Sequence, residues 1–240
     1  MKKLFTALVA LVLSLSVSAQ FYIYCSNGDV LEVDSISLVK PDNQINNHEY
    51  VDLGLSVKWA TCNVGATTPE EYGDYFAWGE VEPKTTYDWS TYKYGTGYDQ
   101  LTKYCDNSVY GKDGFIDNKT VLDPEDDAAQ VNWGGAWRMP TKAEQDELRN
   151  NCTWTWTIQN GVNGYKVTGP NGNSIFLPAA GYMGEGALRY AGSSGGYWSS
   201  SLGTGYPVNP YCVYFDSDDV YWGNYDYSRY DGLAVRPVCQ

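Results

Sequence analysis

Histidine is nearly absent: His48 is the single one in 240 residues. A Ser-His-Asp triad, a Cys-His dyad or a multi-histidine zinc site has at most one imidazole to draw on. Basic residues are also few, 16 Lys and Arg against 29 Asp and Glu, for a net charge of −13. Nucleic-acid backbones need a basic footprint, and this chain carries the opposite sign. Charged residues of both signs reach only 19%, and Tyr (22), Gly (25) and Trp (9) stand in their place. Such aromatic content excludes long disorder, because disordered chains lack these residues. No C-x-x-C occurs among the six cysteines, which removes the redox motif and the zinc knuckle.

Long apolar runs are missing too, apart from Leu4 to Val17. Lys2 and Lys3 precede that run and Val17-Ser18-Ala19 follows it, so residues 1–19 read as a cleaved signal peptide. The run is too short to span a bilayer, and no membrane-spanning segment is expected after cleavage. The protein is thus expected to be exported, to the extracellular space or cell surface, with the periplasm as the other destination. Cleavage removes two lysines and no acids, taking the charge from −13 to −15. Bulky Tyr22-Ile23-Tyr24 argues against lipidation at Cys25. Export permits disulfides among Cys25, Cys62, Cys105, Cys152, Cys212 and Cys239, but spacing selects no pairing, and free buried thiols are the alternative.

Residues 20–41 read as a small β-hairpin, with Phe21, Ile23 and Cys25 alternating and Ser26-Asn27-Gly28-Asp29 as its turn. Residues 42–48, polar and Asn-rich, read as a linker. The main domain, 49–239, opens with Val51, Leu53, Leu55, Val57 and Trp59 on one parity, which predicts a half-buried strand. From Gly65 to Thr120 the chain reads as an ordered loop packed by Tyr75, Phe76, Trp78, Trp89 and Tyr92. Asp126 and Asp127 invite an acid/base reading, but adjacent acids at a helix start are expected to be caps. Thr141-Lys142-Ala143-Glu144 is a capping box for a helix reaching Asn150. Strands are expected at 164–167, 174–177, 196–198 and 233–235. Arg138 and Arg236, flanked by apolar residues, read as buried structural arginines. The fold class is α+β, one loop-rich domain.

The tail is distinctive. Residues 203–231 hold seven tyrosines (Tyr206, Tyr211, Tyr214, Tyr221, Tyr225, Tyr227, Tyr230) and five aspartates (Asp216, Asp218, Asp219, Asp226, Asp231). Val213, Phe215, Val220 and Trp222 look like a buried parity, which leaves Cys212, Tyr214 and Asp216 facing solvent. Tyr with Asp, Asn, Ser and Gly is the composition of antibody combining loops, where rigid rings give contact area at low entropic cost. Rings packed on their own domain are the competing reading. Asp216, Asp218 and Asp219 could ligate calcium, but a solvated acidic face is expected. No cofactor, metal or catalytic group is predicted.

Several motifs in order carry a family resemblance: Tyr50-Val51-Asp52-Leu53-Gly54-Leu55-Ser56-Val57-Lys58-Trp59-Ala60, Tyr75-Phe76-Ala77-Trp78-Gly79-Glu80, Trp133-Gly134-Gly135-Ala136-Trp137-Arg138-Met139-Pro140-Thr141, Phe176-Leu177-Pro178-Ala179-Ala180-Gly181, Gly196-Tyr197-Trp198-Ser199-Ser200-Ser201 and Val235-Arg236-Pro237-Val238. Together they resemble the FISUMP-type major paralogous domain, a family of exported bacterial proteins similar to the C-type-lectin fold. The tail resembles the variable region of proteins diversified by retroelements, in which rewriting of AAC codons yields Tyr, Asp, Ser and Gly. That resemblance implies a variable binding region at 202–231 with Arg229 and Gly232 as fixed scaffold. Its implied ligand-binding positions are Tyr206, Asn209, Cys212, Tyr214, Asp216, Asp218, Asp219, Tyr221, Gly223, Asn224, Tyr225, Asp226, Tyr227, Ser228, Tyr230 and Asp231. The function implied is a receptor- or adhesin-like protein whose partner is a protein or glycan on another cell, phage or host surface. Because the tail is acidic, a neutral or basic ligand is expected. The alternative is a non-diversified carbohydrate-binding or adhesin member of the same family, although no Glu-Pro-Asn triplet of calcium-dependent lectins is present and Val208-Asn209-Pro210 is a poor substitute. Formylglycine-generating enzymes are similar in fold but use closely spaced cysteines, whereas Cys212 and Cys239 lie 27 residues apart; no enzyme is expected.

Overall fold

The computed structural model describes residues 21–24, 30–33, 43–184, 186–223 and 227–240. The chain divides after Asp42 into two units. In the first, β1 (Phe21–Tyr24) and β2 (Val30–Val33) pair antiparallel as the expected hairpin, with Phe21 opposite Val33. The turn expected at 26–29 lies outside the described residues.

The second unit, 43–240, is mostly sheet, with short helices and long loops. It begins within the segment expected to be a linker. Gln44–Ile45 (β3) and His48–Val51 (β4) form a hairpin instead. Asn46 and Asn47 make its turn at φ of 47° and 66°, a left-handed conformation that asparagine tolerates. β5 (Lys58–Ala60) and β14 (Val238–Cys239) complete a four-stranded sheet in the order β14-β5-β4-β3, which joins the two ends of the unit.

The strand expected from Val51 to Trp59 is broken. Residues 52–57 bend, and Gly54 sits at φ 76° with its amide donating to Asp52 Oδ1 at 2.7 Å. The alternation in burial survives: Leu53 and Val57 are buried, whereas Asp52, Gly54 and Ser56 are exposed. Period-two hydrophobicity here records which side chains reach the core, while the ladder between them is absent.

A 3-10 turn (Pro124–Asp126) leads into α1 (Ala128–Trp133), capped by Asp127, which accepts from the amide of Gln130 at 3.0 Å. Helix α2 (Lys142–Asn151) carries both halves of the predicted capping box between Thr141 and Glu144. There follows a meander of β6 (Thr153–Gln159), β7 (Val162–Thr168) and β8 (Ser174–Pro178). An Asn160-Gly161 turn with both φ values positive joins β6 to β7. β9 (Tyr182–Gly184) pairs with β10 (Ala187–Arg189), and β11 (Ser194–Trp198), β12 (Cys212–Asp216) and β13 (Val220–Gly223) form the last sheet. The stretch 233–235 is no regular strand; Leu233 and Ala234 make isolated bridges to Phe76 and Tyr197.

The two largest of four apolar clusters among the described residues make up most of the core. One holds Trp78, Tyr104, Trp137 and Trp198, the other Leu53, Trp59, Val167 and Phe215. Removing a side chain such as Phe215 from water is worth about 1.5–3 kcal/mol. Burying an indole also requires an acceptor for its N–H. Trp198 donates to Phe76 O and Trp78 to Ser199 O, both at 2.8 Å, and Trp137 donates to Ile45 O at 2.9 Å. These bonds tie the long aromatic loop to the sheets. Arg236 is buried as expected and donates to Asn63 Oδ1 and to the carbonyls of Ala60 and Thr61. Arg138, expected to be buried, is half-exposed and ion-paired with Glu144. Cys62, Cys105, Cys152, Cys212 and Cys239 are all free thiols. No helix among the described residues is long and apolar enough to cross a membrane.

Candidate functional site

The tail is built on the β11-β12-β13 sheet. Antiparallel register sets Tyr214 directly opposite Tyr221, and the rings stack with centroids 5.8 Å apart. At the hairpin tip Asp216 Oδ1 accepts from the amides of Asp218 and Asp219 at 2.9 and 3.1 Å. Asp219 Oδ1 accepts from the amide of Val220 at 2.7 Å. Two of the three carboxylates therefore shape the turn, as short acidic side chains do. Asp218 and Asp219 are exposed. Among the described residues no three His, Cys, Asp or Glu side chains converge as a metal site.

One further tail ring and two from before the tail extend the pair. Tyr214 contacts Tyr227 at 5.9 Å between centroids, Tyr227 meets Tyr182 edge-on at 4.8 Å, and Tyr182 lies over Tyr190 at 6.1 Å. Five tyrosines thus run from the β9–β10 hairpin to the β12–β13 hairpin. Tyr190 is 64% exposed and the other four are half-buried. Burial first, then the charges of Asp216, Asp219 and Asp218, push the Tyr221 hydroxyl above its ordinary pKa. Asp216, Asp218 and Asp219 make the β12–β13 end of the run acidic. Tyr182 and Tyr190 lie before the tail, so its composition gives no signal for them; only pairing across hairpins brings them in.

Backbone contacts hold the run in place. The amides of Met183 and Gly232 each donate to the other's carbonyl, at 2.7 and 2.8 Å, which staples β9 to the tail. Gly232 allows this approach, because a Cβ there would lie 2.5 Å from the Tyr87 ring. Arg229 is fully buried and donates to the carbonyls of Lys103 and Tyr104, with its guanidinium over the rings of Trp78 and Tyr92. Burial pushes its pKa down. Both residues are held by packing: Arg229 by its buried carbonyl and ring contacts, Gly232 by the Tyr87 ring.

The remaining tail positions scatter. Cys212, expected to face solvent, is 1% exposed. It belongs to the apolar cluster that holds Trp198 and Leu202, against which half-buried Tyr227 packs. Parity fails there because both faces of β12 are covered at its start. Asp231 is buried as well, and its carboxylate accepts from the amide of Ser228 at 2.8 Å. Tyr227 is in part a core residue. Tyr206, exposed, leans edge-on against Tyr110, and Tyr230 packs on Trp89, each in a ring pair separate from the five-tyrosine run. Asn209 is half-buried, its amide donating to Tyr206 O. Gly223 is a strand position opposite Cys212. Asn224, Tyr225 and Asp226 lie outside the described residues.

Asp126 and Asp127 are structural. Asp127 caps α1 and also accepts from the amide of Met139 at 2.8 Å. Asp126 is buried and accepts from Lys93, Lys103, Tyr94 and Tyr104. Four donors saturate the carboxylate, which leaves it nothing to offer a substrate.

Compared with family models, curated proteins and solved structures, the chain matches none.

Proposed function

We propose that this chain is an exported ligand-binding protein on a C-type-lectin-like scaffold of the FISUMP type. Its tail presents a replaceable Tyr- and Asp-rich face to a protein or glycan on another surface. The observation that carries this reading is the five-tyrosine run beside the exposed aspartates of the β12–β13 tip. Rigid rings held at both ends give contact area with little entropy to lose on binding. Tyr214, Asp216, Asp218, Asp219 and Tyr221 reach the surface and Arg229 and Gly232 are buried, as the reading needs, whereas Cys212 and Asp231 are buried and drop out of the binding set. The acidic tip favours a neutral or basic partner.

Randomising those five surface positions in a cell-display library tests the reading. Most clones should stay folded, melting somewhat below the parent where the Asp216 or Asp219 turn bonds are lost, and selection against an unrelated basic protein such as hen lysozyme should recover binders. A library that is mostly unfolded would refute it. A near-identical repeat beside the gene, differing only at adenines, is the expected genomic mark of diversification.

A further inference from the structure

Away from the tyrosine run, the β6-β7-β8 meander ends in an open edge at β6. The Asn163 carbonyl accepts from the amide of Ala179, on the β8 side, at 2.8 Å. Odd-numbered residues of β7 therefore bond toward β8 and even-numbered ones toward β6. With Thr157 opposite Gly164 and Thr155 opposite Lys166, the odd-numbered residues of β6 take up those bonds. The N–H and C=O of Trp156 and Ile158 are left pointing away from β7, and among the described residues no backbone group meets them.

Sheet edges are ordinarily protected, and the other edges of the second unit are. Strands β3, β9, β10 and β14 are two or three residues long, and β13 is four. β11 is bridged on its outer side, Gly195 to Gly181 and Tyr197 to Ala234. β8 is buried from Ile175 onward and closes with Pro178. β6 has none of these devices. It runs seven residues, Thr153 to Gln159, with no charge, proline or glycine. Ile158 is 67% exposed on it, and Thr153 and Thr155 are exposed as well. Two copies of a chain carrying −13 repel each other least where both present neutral side chains.

We propose that β6 pairs antiparallel with β6 of a second copy, joining the two meanders into one sheet across a two-fold axis. The strand complements itself. With the axis at Trp156, the two Trp156 residues exchange backbone bonds and Thr155 faces Thr157. Each exposed Ile158 then lies beside half-buried Trp154 of the other copy. Like charges are not opposed: Lys166 shares its row with Gly164 of the second copy. Glu70, bonded to Gln159 at 2.6 Å, falls at the row of its Thr153. The pairing does not involve the tail face.

Sedimentation of the whole chain from about 1 to 200 μM should show a reversible monomer–dimer equilibrium. Thr155→Lys combined with Thr157→Lys sets lysines opposite one another and should weaken the dimer about tenfold or more. Thr155→Lys combined with Thr157→Glu sets opposite charges in the same rows and should keep it. Ile158→Pro, which removes an outward N–H and spares the β7 ladder, should weaken it too. Tyr221→Ala should leave it unchanged, and all four variants should retain the parent's circular dichroism. The proposal is overturned if the parent stays monomeric over the whole range, or if folded T155K/T157K and folded I158P both dimerise like the parent. It is equally overturned if the Lys/Glu variant loses the dimer as fully as the double-lysine one, or if Y221A abolishes it.

Discussion

Replacing Asp126 with Asn should be among the most damaging single changes in this protein. Its side chain is 1% exposed, with Lys103 Nζ at 2.6 Å and the Tyr104 hydroxyl at 2.7 Å on Oδ2. Lys93 Nζ at 3.1 Å and the Tyr94 hydroxyl bond Oδ1. Burial alone would raise the carboxyl's pKa, but the bonds from Lys103, Tyr94, Tyr104 and Lys93 outweigh it and hold it at about 2, against an ordinary 3.8. At 1.36 kcal/mol per unit that difference corresponds to about 2 kcal/mol of stability. It is present above pH 4 and lost as pH falls through 2, because the folded pKa lies below the unfolded one. Asparagine removes the charge and sets an amide donor against ammonium or phenol donors, so breaking this buried set should cost about 3 kcal/mol. Lys93 is 51% exposed and adds little of that. In a unit of this size, D126N should melt about 6–12 °C below the parent at pH 7. The gap should narrow steadily in melts between pH 4 and pH 2. A variant within 2 °C of the parent at pH 7, or a gap that does not change with acid, would refute the reasoning.

Gly232→Ala should lower stability by about 1–3 kcal/mol in urea titrations, because the new methyl meets the Tyr87 ring and the Met183 staple must give way; an unchanged midpoint would contradict this. Tyr227→Ala should cost about 2–3 kcal/mol, since the ring packs against the Cys212 cluster, whereas the double variant Tyr214→Ala, Tyr221→Ala should lose less. Equal melting temperatures for the two would disprove that ordering. In the native protein a thiol reagent at pH 8 should label Cys62 ahead of Cys105, Cys212 and Cys239, which are buried. Half-exposed Cys152 should also lag, because burial, and then Glu147, pushes its pKa up to about 11. Labelling of Cys212 at the rate of Cys62 would show that β12 is not covered on both faces.

What the sequence determined by itself is what neighbours along the chain decide. The Thr141 capping box depends on residues three apart and formed as predicted. The alternation in β1 and β2, and the inward parity of Val213 and Phe215, rest on the two-residue period of an extended chain. The aromatic content of the loop from Gly65 onward announced packed rings, and Phe76 and Trp78 are indeed buried. The resemblance implies fixed positions at Arg229 and Gly232, but the packing of Arg229 on Trp78 and of Gly232 on Tyr87 is not readable from their neighbours in the chain. The polar composition of residues 42–48 concealed a hairpin, because asparagines suit a tight left-handed turn as readily as a linker.

Tertiary structure decided everything that depends on distant segments. The period-two run from Val51 to Trp59 could not reveal that its ladder breaks after Val51, since burial and pairing are separate demands. Strand parity assigns Cys212, and the family resemblance Asp231, to a surface, and both are buried because other segments cover them. The Asp126 hub gathers Lys93, Tyr94, Lys103 and Tyr104 from a loop without periodicity, so no local pattern foretells it. The tyrosine run likewise joins residues 182 and 190 to 214, 221 and 227 across two hairpins. A side chain's chemistry is written in the sequence, but whether it faces solvent depends on which remote piece of chain packs against it.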